Sequence, residues 1–218
     1  MPNILAHTHI TTSVFSGREH GIVLGSTLPD FAGIHKALYG ENVPIRGLSD
    51  EVDQGIDFHH TTDSFFGAQP EVPEMTGPLR FDLEDAGLEA RAARASATIA
   101  ADILLDVALL EFDGPRQDFS RVRDLVMTEQ TEALMHQDKR FREIVTAYFA
   151  YNRPYAYQNP RTVAEIIARR LATRRDPRET VLPEQQGVLA DVLSAYAERI
   201  GGLGLSATAV TIEYLNDI

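Results

Sequence analysis

The segment from Ser49 to Phe66 carries His59 and Asp63 four residues apart. On a helix that spacing puts an imidazole and a carboxylate on one face, with Cβ atoms about 5–6 Å apart, close enough for both to reach one ion. Val52, Ile56, His59, Asp63 and Phe66 recur at helical spacing and form a single stripe, so the two polar groups face inward with the apolar ones. The same pattern also suits a plain buried hydrogen bond between them. Ser49 is a fitting N-cap, and Asp50, Glu51 and Asp53 fill the first turn, where the helix dipole favours negative charge.

A second constellation lies between Ser96 and Leu110, a run apolar on every side whose only ionisable groups are Asp102 and Asp106. Burying an unpaired carboxylate is costly, so two of them one turn apart require a cation or several donors. Metal ligation is one answer, and pairing with arginines such as Arg91 or Arg94 is the other. Asp30, after the Gly25-Ser-Thr-Leu-Pro turn, either joins such a site or caps the next helix. His7 and His9 are two residues apart and point to different helix faces, so at most one enters a shared site. His20, His35 and His136 show no partner pattern. Arg169, Arg170, Arg174 and Arg175 form the strongest basic patch, suited to bidentate phosphate contact or, equally, to a solvated helix C-terminus.

The elements that must position these groups read as helices throughout, because period-2 alternation is scarce. The expected spans are 3–15, 18–25, 30–39, 49–66, 82–112, 117–135, 138–151, 160–175, 184–200 and 205–216. Pro44, the stretch from Gly67 to Pro78, Gly114-Pro115, Pro154, Pro160, Pro177, Pro183 and Gly201-Gly202 supply the breaks. The fold class is therefore all-α, a single helical domain over 1–218. A hydrophobic content of 44% supports a core. With no cysteine, any metal must sit on His, Asp or Glu. The net charge of -12 argues against nucleic acid as a partner, since that binding depends on Lys and Arg neutralising phosphates. No run is long and apolar enough for a membrane span, and the opening residues lack the pattern of a secretory signal, so a cytoplasmic location is expected.

With these residues in view, the sequence resembles the acyl-carrier-protein phosphodiesterase family, an offshoot of the helical HD phosphohydrolases. Asn3-Ile-Leu-Ala-His7-Thr-His9 is similar to its amino-terminal motif, and Leu28-Pro-Asp30-Phe31 to its Asp-Phe segment. Gly55-Ile-Asp-Phe-His59-His-Thr-Thr-Asp63 carries the most specific likeness. Asp102-Ile-Leu-Leu-Asp106 resembles its Asp-x-x-x-Asp helix, and Leu171-Ala-Thr-Arg-Arg175 its late Arg-Arg element. The resemblance implies a Mn²⁺-dependent hydrolase that removes phosphopantetheine from a carrier-protein serine, with Mg²⁺, Fe²⁺ or Zn²⁺ as other candidate ions. On that reading His59, Asp63, Asp106 and Asp30 are the metal ligands, with His7 as a further one. Asp102 would orient water or hold a second ion, and Arg174 or Arg175 would hold the substrate phosphate. The acyl carrier protein, or a small phosphoester, is the implied partner. The chain departs from the family at His60 and Thr61, where basic residues are usual, and at Gly67, which replaces an acidic one. Two other readings are a zinc-dependent phospholipase C-like hydrolase, which needs more histidine ligands, and a non-catalytic metal- or ligand-binding helical protein.

Overall fold

The computed structural model describes residues 3–15, 20–128, 137–151, 153–173 and 176–217, and among them every regular element is helical. In chain order these are α1 (Ile4–Val14), α2 (His20–Tyr39), α3 (Asp50–Gly67), α4 (Glu71–Asp85), α5 (Ala90–Leu109), α6 (Asp113–Thr128), α7 (Lys139–Ala150), the short α8 (Arg153–Ala156), α9 (Pro160–Ala172) and α10 (Gln186–Asn216). All-α is the fold class.

The amino-terminal helix is central: α1 packs against α2, α5, α6 and α10. Ile4, Leu5 and Ala6 are fully buried in one apolar cluster that also takes Phe31, Phe66, Phe119, Phe141 and Phe149, and Ile10 is fully buried as well. Ser49 caps α3 as its sequence indicates, its hydroxyl accepting from the Val52 amide at 3.2 Å.

Three boundaries differ from the sequence expectation, each for a packing reason. The spans 18–25 and 30–39 are one helix, α2, which runs through Pro29. A proline there forgoes one backbone hydrogen bond and crowds the preceding turn. Burial of Ile22, Val23, Leu24, Leu28 and Phe31 on both sides of it holds the helix together. The expected helix 82–112 is divided: Gly87 adopts φ 94°, a left-handed turn open to glycine, and most of the stretch before it is α4. Met75, Leu79 and Leu83 recur every four residues and are buried, so α4 forms despite Pro78. Finally, 184–200 and 205–216 are one helix, α10, with Gly201 and Gly204 inside it. A Cβ on Gly201 would lie 2.9 Å from the Ala108 Cβ, and one on Gly204 2.8 Å from Leu105 Cδ1, so these glycines admit α5 rather than end a helix.

A close backbone approach joins α2 to α3. A Cβ on Gly25 would sit 2.1 Å from the Val52 carbonyl oxygen, and one on Gly55 2.2 Å from that of Ile22. The two backbones therefore meet with no side chain between them.

Candidate metal centre

This near-contact carries the residues on the following turns into one site. α1 contributes His7, α2 contributes Ser26 and Asp30, and α3 contributes His59 and Asp63. The His59 Nδ1 lies 2.8 Å from the carbonyl oxygen of Ser26, which can only accept, so Nδ1–H donates and the lone pair of the neutral ring stays on Nε2. His7 is held in the same manner, with Nδ1 3.0 Å from Asp30 Oδ2. Both remaining nitrogens turn to one carboxylate: His7 Nε2 is 3.3 Å from Asp63 Oδ1, and His59 Nε2 is 3.3 Å from Asp63 Oδ2. Ligand atoms of His7, His59 and Asp63 all fall within 4.8 Å of one another.

The two rings lie against each other, tilted, with centroids 3.9 Å apart and planes inclined by 30°. His7 Nε2 and Asp63 Oδ1 are buried and make no well-aligned hydrogen bond, so each retains unused capacity directed at the other. The electrostatics match. Burial alone would lower the His7 pKa, but the Asp30 carboxylate, with Asp63, outweighs it and raises the group to about 9. Burial likewise opposes ionisation of Asp63, yet the imidazoles of His59 and His7 hold its carboxyl below the usual carboxylate range. The site thus favours positive charge between its carboxylates. Two imidazole nitrogens and a carboxylate, each imidazole fixed by an outer hydrogen bond, fit a divalent transition ion. Asp63 and Asp30 are 17% and 21% exposed while His7 and His59 are buried, so the carboxylate side is the way in.

The remaining candidate residues fall outside the close group of three. Asp30 is a partner of His7 and not one of the close group. Asp106 is not in that close group: fully buried on α5, its Oδ1 accepts from the Ala6 amide at 3.1 Å, while its Oδ2 has no hydrogen-bond partner among the described residues. It thereby serves the amino end of α1, where Asn3 supplies no side-chain cap. Burial pushes its pKa well up, and the Asp30 charge adds to this. Asp102 borders a cavity of about 110 Å³ with Phe66, Met75, Thr98 and Leu105, and burial pushes it up to about 6 against the charge of Arg170. Arg91 pairs with Asp176 rather than with the α5 carboxylates. His9 turns away from His7, as the two-residue spacing implies, and meets Asp118 at 2.8 Å. Arg174 and Arg175 lie outside the described residues.

In the sequence His7 is only a secondary candidate, and Ser26 carries no signal at all. A backbone carbonyl leaves no trace in side-chain spacing, and the partners of His7 are 23 and 56 positions away. Comparison with protein-family models, curated proteins and solved structures finds no match for this chain.

Proposed function

We propose that the protein is a metal-dependent phosphoric ester hydrolase whose cation is held by His7, His59 and Asp63. The observation that carries this reading is the convergence of two imidazole Nε2 atoms on one carboxylate, each ring locked at Nδ1 by Asp30 or by the Ser26 carbonyl. A bound divalent ion at such a set lowers the pKa of a water and neutralises charge developing on phosphoryl oxygens. The chain's own residues fix the ring orientations, exclude water from the histidine side and leave the Asp63 edge open to substrate.

Mn²⁺ is the ion we assign, with Mg²⁺, Fe²⁺ and Zn²⁺ as competitors in the same assay. The substrate class follows from the resemblance of Gly55–Asp63 to the acyl-carrier-protein phosphodiesterase motif, which makes the phosphopantetheine ester of a carrier-protein serine the first substrate to try. A phospholipase-like set with three histidines gains no support from His9, which is engaged with Asp118.

The test is metal analysis of the purified protein, then hydrolysis of bis(p-nitrophenyl) phosphate and of holo carrier protein with and without Mn²⁺. We expect stoichiometric metal, Mn²⁺-dependent turnover that chelation abolishes, and a gain of about 3 kcal/mol in stability at a hundredfold excess of metal over Kd. His59→Ala should lose all three. Metal uptake without turnover on either ester would leave a metal-holding protein in place of the enzyme, and absence of uptake would remove the centre itself.

A further inference from the structure

Away from His7, His59 and Asp63, a second concavity of about 310 Å³ opens beside the amino end of α1. Its wall is aliphatic, with Ile4, Ile34, Leu38, Ile103, Ile144 and Ile166 drawn from five helices. Arg153, Arg169 and Arg170 also line it. All three are exposed, and none forms an ion pair with a described carboxylate within 4.0 Å, in a chain whose net charge is -12. A third feature is internal to the pocket. Tyr148 is 5% exposed and its hydroxyl has no hydrogen-bond partner among the described residues. An unpaired buried hydroxyl costs on the order of a hydrogen bond, and the residue that carries it lines this concavity.

We infer that this pocket binds a small amphipathic anion, an unbranched alkyl chain ending in a carboxylate or phosphate. The methylenes would lie among the isoleucines and the anionic head at the guanidiniums. Volume favours a small molecule, since the cavity sits at the lower end of the range of ligand sites. Arginine suits either head group through its paired donors. The inference is independent of the metal centre, because none of the lining residues belongs to that group.

The experiment is calorimetric titration of the full chain, with metal removed by chelation, using butanoate, octanoate, decanoate, decyl phosphate, decanol and inorganic phosphate. Decanoate and decyl phosphate should bind, and each added methylene should tighten binding by about fourfold until the pocket is full. Decanol and inorganic phosphate should each bind at least tenfold more weakly than decanoate. Arg169→Gln with Arg170→Gln should weaken decanoate tenfold or more and leave decanol unchanged, and Tyr148→Phe should weaken it severalfold without unfolding the chain. The two exposed arginine changes guard against loss of fold, and a melting curve checks each variant. Equal binding of inorganic phosphate and decanoate would reduce the site to a surface anion patch and overturn the proposal. So would binding unaffected by chain length, or binding only to anionic vesicles and never to the monomeric probe.

Discussion

Asp106 and His59 show how far a side chain's role depends on what lies beside it in space. Both sit on inward stripes of their helices, and both are buried. His59 faces a carboxylate and a carbonyl that leave one nitrogen available, whereas Asp106 faces backbone amides at the start of α1. The expected consequence is that Asp106→Asn retains metal and melts no lower than the wild type, since the amide oxygen still accepts from Ala6 and the cost of burying charge is relieved. Metal content by atomic absorption, together with the melt, decides it. Loss of the ion with an intact fold would bring Asp106 into the ligand set. The His59–Asp63 pair was readable because both members lie on one helix, and periodicity reports relations within a helix. The pairing of His7 with Asp30 and Asp63 depends on how three helices assemble, which periodicity does not encode.

At the level of elements, α2 and α3 are held by the mutual close approach at Gly25 and Gly55, and that approach sets Ser26 against His59. Gly55→Ala would drive a methyl group into the Ile22 carbonyl, for which no side-chain movement makes room. We expect a loss of about 3 kcal/mol, as for overpacking in a rigid core, and a weakening of metal affinity in whatever folded protein remains. Denaturant melts and metal titration measure both. Gly202→Ala is the control, as its Cβ would meet nothing within 4 Å. Helix boundaries were legible where caps and apolar stripes agreed, as for α3 with Ser49. Proline and glycine inside a helix are poor guides to them. Pro29 and Pro78 are outweighed by buried side chains on either side. Gly201 and Gly204 are small because Ala108 and Leu105 need the space. The residue that does divide the expected helix 82–112 is Gly87, which takes a positive φ.

Across the whole molecule, stability responds to pH through acids that burial holds away from water, among them the half-buried Asp102. Its pKa in the folded protein, about 6, stands above the ordinary carboxyl value of 3.8 because burial disfavours the charge. Below the ordinary value both states hold the proton and no penalty arises. As pH climbs from there through the folded value, the unfolded chain releases its proton more readily and stability declines, reaching the full deficit above about 6. Asp102→Asn should therefore stabilise the protein by roughly 1–2 kcal/mol at pH 7 and by nothing near pH 3.5, a difference that urea melts at the two values will reveal. An equal effect at both would show that the charge of Asp102 is not what the fold resists. The meeting of α2 and α3 has a consequence of another kind, for descent. A metal ligand can be exchanged for another donor when the ion or the substrate changes, but a position where backbone touches backbone admits only glycine, whatever chemistry the protein performs. Among diverging relatives the glycines at 25 and 55 should thus outlast the histidines, and the interval from Gly55 to Asp63 is the stretch by which distant kin would first be recognised.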